Sequence, residues 1–216
     1  MIGAERLAGT LTLPQNRYGL VIFAHGSGSS RLSPRNTLVA RQLNDSGLAT
    51  LLFDLLTDEE AQDRRNVFDI PLLGSRVINA INWVSEQEDL ARTPIGVFGA
   101  STGAAAALVA AAQAPGLVKA VVSRGGRPDL AGQALGEVRA PTLLIVGGND
   151  YDVLELNRAA RKMMRCETEL SIIPGATHLF EEEGAMDQVV SKASAWFMTH
   201  LSGAWPRTIP TDEAPR

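Results

Sequence analysis

The chain has little of what would tie it to a disulfide scaffold, a metal or a polyanion. Among its 216 residues there is one cysteine, Cys166, and there are three histidines. A single thiol forms no internal disulfide, and no Cys/His grouping has the spacing of a structural zinc site. Lys and Arg number 20 against 24 Asp and Glu, a formal net charge of −4. No basic surplus therefore invites nucleic acid or an anionic membrane. No apolar run approaches the ~20 residues that span a bilayer. The opening MIGAERLAGTLTLPQ has neither the basic start nor the unbroken apolar stretch of a signal peptide. The expectation is a soluble, cytoplasmic protein, with neither nucleic acid nor membrane as partner and with assembly into a homo-oligomer left open.

What is there is apolar material arranged in short runs. With 45% hydrophobic residues in 216, the length suits one well-buried core. Residues 1–201 read as one domain and 202–216 as a partly flexible tail, rich in proline and charge, whose Trp205 is apolar enough to dock on the body. AGTLTL (8–13), GLVIFAH (19–25), LATLLFD (48–54), IGVFG (95–99), KAVVS (119–123), TLLIV (142–146) and ELSII (169–173) are brief, rich in leucine or β-branched residues, and bounded by Gly, Pro or Asp. They predict strands. Helices are predicted over about 34–46, 70–88, 101–113, 152–164 and 184–200. Continuously apolar strands alternating with helices imply a mostly parallel sheet covered on both faces, an α/β architecture, with the first strand antiparallel at an edge.

In such a sheet, reactive groups gather where loops leave the carboxyl ends of the strands. GASTG (99–103) stands at one such end, before the alanine-rich helix. Gly-x-Ser-x-Gly between strand and helix is the pattern of a nucleophile elbow, which exposes the serine oxygen on a sharp turn. The plainer alternative is that Ser101 caps the helix beside two turn glycines.

A serine hydroxyl needs a base, and a carboxylate-held histidine is the usual one. His178, in PGATHLF, again follows a strand. His200 falls near the end of the last helix, where it complements the helix dipole, and His25 precedes a glycine loop. His178 is therefore the candidate base. The acid is expected between serine and histidine. Asp150, in IVGGNDYDV, follows a buried strand and two glycines; Asp152, better placed to cap the next helix, and Asp129, in GGRPDL, are its rivals. The intervals accommodate whole helix and strand units, so Ser101, Asp150 and His178 fall on one rim.

Acyl transfer also needs N–H groups for an oxyanion. FAHGSGSS (23–30) supplies a glycine-rich turn after a central strand, and the N–H groups of Ser27 and Thr102 are the candidate oxyanion hole. No G-x-x-x-x-G-K-[ST] or G-x-G-x-x-G pattern turns this loop into a phosphate cradle. His25 and Gly26 at its head, and Arg124 and Arg127 in SRGGRPDL, are candidate substrate contacts. For the arginines, surface solvation or a salt bridge to a nearby acid is the plainer alternative. Cys166, in MMRCETEL, lies far from this rim and reads as filler.

HGSGSS, GASTG, GGNDYDV and GATHLF together resemble the α/β-hydrolase superfamily over about residues 8–200, in particular its small, lidless dienelactone-hydrolase-like members. HGSGSSRLSPRN and VVSRGGRPDLAG are most similar to hydrolases whose relatives are sometimes fused to phosphoribosyltransferase domains. The resemblance implies an α/β-hydrolase fold with helices on both faces and a serine hydrolase acting on a small-molecule ester or thioester. No cofactor and no metal are implied. Dienelactone hydrolases proper carry a cysteine nucleophile, whereas this elbow carries Ser101. About 18 residues separate the strand ending near Ser123 from the one starting at Thr142, too few for a lid domain, so the site is expected to be open. A peptidase or amidase with the same triad, and a non-catalytic binding module on the same fold, are the alternatives.

Overall fold

The computed structural model describes residues 1–202, so Trp205 and the rest of the tail from 203 onward lie outside the described residues. The apolar runs become the strands β1 (Gly9–Thr12), β2 (Gly19–Ala24), β3 (Leu48–Phe53), β4 (Ile95–Ala100), β5 (Val118–Arg124), β6 (Thr142–Gly147) and β7 (Thr168–Ile173). They form one sheet in the order β1-β3-β2-β4-β5-β6-β7. Every pairing is parallel except that of β1 with β3, which puts the antiparallel strand at an edge, as the sequence predicts. All six residues of β2, β3, β4 and β6 are buried, whereas the edge strands β1 and β7 keep exposed positions.

The helices are α1 (Pro34–Asp45), α2 (Arg64–Val67), α3 (Ile70–Glu86), α4 (Thr102–Gln113), α5 (Tyr151–Met163) and α6 (Ala185–Leu201). They cover both faces. Leu20 and Ile22 of β2 pack into a core with α3 and α4, and Val21 and Phe23 into a second core with α1 and α6. Period-two alternation along the strand feeds both cores. Burying each large apolar side chain contributes roughly 1.5–3 kcal/mol, and Phe23 adds an aromatic contact with Phe98, centroids 4.9 Å apart. The alanines of α4 answer to crowding: Thr102 to Ala111 are all buried. No helix of the described residues is long and apolar enough to cross a membrane.

Two stretches depart from the sequence reading. Between β3 and α3, where no element is expected, lie a 3-10 turn (Glu60–Gln62) and α2. Both are single turns, and α2 is started by the Asp63 carboxylate accepting from Arg65 N–H, a local device without apolar periodicity. The β5–β6 connection is a 3-10 stretch, Pro128–Glu137, kinked at Gly132 with φ 54°, and no further element is inserted there.

Candidate active site

Strand order reverses between β2 and β4: from β2 the chain moves outward to β3, which pairs with β1 at the edge, then returns to β4 on the other side of β2 and proceeds to β7. Such a switch point opens a crevice at the carboxyl ends of the strands. Ser101 stands there, directly after β4. Its backbone is at φ 51°, ψ −121°, and its side chain makes no capping hydrogen bond to α4, which sets aside the capping alternative. The strained turn is pinned from β5: Ser101 N–H donates to Arg124 O at 3.2 Å, and Arg127 N–H donates to Ser101 O at 3.1 Å. The flanking glycines are required by close approach. A Cβ on Gly103 would lie 2.2 Å from Ala24 O, and one on Gly99 would lie 2.4 Å from the Ala104 Cα.

Asp150 and His178 meet at this rim, with His178 Nδ1 and Asp150 Oδ2 2.7 Å apart. The carboxylate accepts from Nδ1–H, which leaves Nε2 of the neutral ring as an acceptor. Asp150 is at the N-cap position of α5 yet makes no cap bond; its carboxylate serves the histidine instead. The sequence-based assignment of the cap to Asp152 is therefore corrected: Asp152 lies in the first turn of α5 and is exposed. The helix begins two residues earlier than Val153, and Asp150 occupies the cap. Asp129 is engaged elsewhere, as the bidentate partner of Arg127 at 2.8 and 2.7 Å. The Asp150 side chain is 15% exposed and that of His178 39%, so the pair is anchored on its acidic side and open on the other.

The two loops that bring them together are stitched to one another. Asn149 N–H donates to Ala176 O at 2.9 Å and its Nδ2 donates to Gly175 O at 2.9 Å. Thr177 N–H and its hydroxyl both donate to Glu182 Oε1. The histidine loop in turn rests on β5. A Cβ on Gly125 would lie 3.6 Å from His178 Cε1, and Gly125 follows the residue that holds Ser101. The Ser101 backbone and the His178 ring thus rest on consecutive residues, Arg124 and Gly125, although no hydrogen bond joins the two side chains among the described residues.

The glycine-rich loop after β2 comes to the same place, with a difference. Ser27 N–H is not an open donor: it donates to Thr102 Oγ1 at 2.9 Å. Thr102 N–H, at the first position of α4, has no intrahelical acceptor. The Thr102 hydroxyl is the group that reading the sequence missed, since a contact between residues 27 and 102 leaves no mark in local spacing. His25 is committed to shaping the loop. Its Nε2 accepts from Leu55 N–H at 3.1 Å, and its Nδ1–H donates to Gly26 O at 3.0 Å. These bonds use both ring nitrogens, so His25 braces the loop instead of facing a substrate, and Gly26 contributes its carbonyl to that brace. Burial pushes the His25 ring below its ordinary pKa, against the opposing effects of the Gly26 bond and the Asp54 charge.

Of the two arginines, Arg127 is paired with Asp129 as described. Arg124 is different: it is 9% exposed, and its Nε and Nη1 are buried without an acceptor among the described residues. Away from the rim, His200 lies in the last turn of α6 and packs on Trp196, centroids 4.4 Å apart. Cys166 lies near Thr142 and Thr168 at the opposite ends of β6 and β7. Each of five segments that follow the carboxyl end of a strand carries an exposed apolar side chain: Leu32 after β2, Phe68 after β3, Leu130 in the 3-10 stretch after β5, Tyr151 at the start of α5 after β6, and Leu179 after β7.

Known proteins share this arrangement of chain. A protein of Mycobacterium tuberculosis that carries the provisional name of a phosphoribosyl transferase is 58% identical over 204 residues, 94% of this chain and 46% of its own length. The chain thus spans about half the length of the curated relatives it matches first. A dienelactone hydrolase from Anabaena variabilis superposes with a TM-score of 0.91 at 53% identity, covering 93% of this chain and 95% of that one. Est1E from Butyrivibrio proteoclasticus shares the fold, with a TM-score of 0.78 at 18% identity over 93% of this chain and 98% of its own. The model of the dienelactone hydrolase family matches residues 7–200. With its seven-stranded sheet and its α/β-hydrolase topology, the chain belongs to the dienelactone hydrolase family.

Proposed function

We propose that the chain is a serine hydrolase of small carboxylic esters or thioesters that works through an acyl-enzyme. Ser101 Oγ attacks the carbonyl carbon while His178 Nε2 takes its proton. The oxyanion accepts from Thr102 N–H and from the Thr102 hydroxyl, which Ser27 N–H polarises by donating to it. The tetrahedral intermediate collapses as His178 returns the proton to the leaving alcohol or thiol. Water, deprotonated by His178, then attacks the acyl carbon and releases the acid. Asp150 holds the histidine in the Nδ1–H form and stabilises its cation.

The observation that carries the reading is the 2.7 Å contact of Asp150 with His178 on the rim where Ser101 stands on its strained turn. An N-cap carboxylate that leaves its helix uncapped, forgoing about 1 kcal/mol, to hold a partly open imidazole has its explanation in chemistry. The connection between β5 and β6 holds only a kinked 3-10 stretch and no lid domain, which supports an open site, and the exposed apolar side chains after the strands suit short acyl chains.

The test is a fluorophosphonate probe followed by intact mass and peptide mapping. One adduct on Ser101 that is lost in Ser101→Ala and slowed at least ~100-fold in His178→Ala is expected. A folded native protein that stays unlabelled would overturn the reading.

A further inference from the structure

We propose that Asn157, in the middle of α5, is a positioning residue of the Ser101 site: its amide fixes the segment 125–127, on which the serine and the histidine both rest, to the helix that carries Asp150. This rests on the hydrolase reading above.

The face that α5 turns inward is formed by Val153, Leu154, Asn157 and Ala160. Asn157 is its one polar member and is fully buried, with 0% exposure. Its Nδ2 donates to Gly126 O at 3.0 Å and to Val153 O at 2.8 Å. Both partners are carbonyls, so the amide can face them only with its nitrogen. Oδ1, on the other side, is buried and accepts from nothing among the described residues. An orphaned acceptor is costly, and a leucine of similar volume, beside Val153, Leu154 and Ala160, would bring none of its own. A core that keeps such an arrangement keeps it for what the nitrogen holds.

What it holds is a strap that begins with two glycines. Gly125, at φ 51°, and Gly126 follow β5 directly. A Cβ on Gly126 would collide with Ser123 Oγ and lie 2.6 Å from the Ala104 Cβ, so the strap is pressed against β5 and α4. Its carbonyl has the Asn157 amide as its one donor among the described residues. Each neighbour of Gly126 touches the site. Arg127 N–H donates to Ser101 O at 3.1 Å, and a Cβ on Gly125 would stand 3.2 Å from His178 O and 3.6 Å from Cε1. Asn157 itself lies two helical turns beyond Asp150, the N-cap residue of α5. One buried amide, bonded across 31 positions, therefore ties the helix of the acid to the backbone that pins the serine and backs the imidazole. Without it Gly126 O loses its donor, and two glycines leave the strap free to shift. A displacement of about 1 Å at reacting groups is enough to cost about 10²-fold in rate.

The experiment separates positioning from stability. Asn157→Leu fills the same space and deletes both hydrogen bonds; Asn157→Ala deletes them without forcing anything into the site. Steady-state kinetics on 4-nitrophenyl acetate and the rate of fluorophosphonate labelling at Ser101 are measured well below each Tm. Both kcat and the labelling rate should fall by at least about tenfold, with KM little changed. Asn157→Asp is the conservative rescue. Its carboxylate cannot donate, but burial favours the neutral acid, whose O–H can bond one carbonyl again. The ratio of its kcat to the native kcat cancels the titration of His178. That ratio should exceed the one for Asn157→Leu and rise as the pH is lowered from about 9 to about 6.

Folded variants whose kcat and labelling rate stay within about twofold of native, whatever their Tm, overturn the proposal. So does a ratio for Asn157→Asp no higher than that for Asn157→Leu at every pH. Failure of every variant to fold would make Asn157 a structural residue and overturn it too. Failure of the hydrolase reading appears separately, as absence of label on Ser101 of the native protein. The histidine Cε1–H resonances then decide: that of His178 should move in Asn157→Leu while that of His200 stays, and an unmoved His178 signal overturns the proposal.

Discussion

Asp150 Oδ2 and His178 Nδ1, 2.7 Å apart, join the loop after β6 to the loop after β7, and the aspartate does so from a helix N-cap position that it leaves unbonded. Asn is as good a cap as Asp but offers the ring an amide in place of a carboxylate. Asp150→Asn should therefore fold as well as the native protein, with a Tm within a few degrees. Its ester turnover should fall by about 10²–10⁴ because the imidazole is no longer held in the working tautomer. Circular dichroism melts beside kcat on a 4-nitrophenyl ester check both halves; a variant as active as the native protein would remove Asp150 from the mechanism.

Thr102 offers a sharper test of the oxyanion assignment. Thr102→Val keeps the shape and the backbone N–H but deletes the hydroxyl that accepts from Ser27. A lost oxyanion donor should lower kcat by about 10²-fold with KM little changed, and Thr102→Ser should recover most of it. If Thr102→Val instead matches or exceeds the native rate, Ser27 N–H serves the oxyanion directly and the hydroxyl merely covers it.

His25 makes stability depend on pH. Its folded pKa is held below the ordinary 6.5 by burial, and protonation would also take away the acceptor that Leu55 N–H uses. A histidine with a lowered folded pKa contributes stability that is fully present above about pH 6.5 and is lost as pH falls towards the folded value. Glu5, Asp63 and Glu182 are also shifted down, by a backbone N–H of Glu5 itself and then Arg76, by Arg65, and by Thr177 respectively. Their contributions fade only below the usual carboxylate range of about 4. Between pH 7.5 and 5.0 the Tm should fall, and His25→Gln, which does not titrate, should flatten that slope. An equal slope in both proteins would assign it elsewhere.

Most of the rim was legible because each of its groups follows an apolar run and a glycine: Ser101 after IGVFG, Asp150 after TLLIVGG, His178 after ELSIIPGA. Strand periodicity and the parallel-sheet rule are enough to bring such positions to one edge. What was not legible is what depends on which side chains meet across the fold. The bond between Ser27 and Thr102 spans 75 positions. Arg124 and Arg127 look alike in SRGGRPDL, yet Arg127 finds an acid two residues away and Arg124 finds none among the described residues. Propensity points to Asp152 as the cap of α5, whereas Asp150 occupies the position and turns its carboxylate to the histidine. The turns at 60–67 were invisible because single turns rest on local polar bonds and not on a repeating apolar face.

The backbone of Ser101, at φ 51° and ψ −121°, lies in a region that only glycine occupies freely, and holding a serine there costs about 1–3 kcal/mol. Ser101→Gly should therefore melt above Ser101→Ala, which retains the strain, and above the native protein as well. Durability and reactivity are set against each other at one backbone position: the fold would outlast its present form if it gave up the side chain that its loops, strands and hydrogen bonds hold in view.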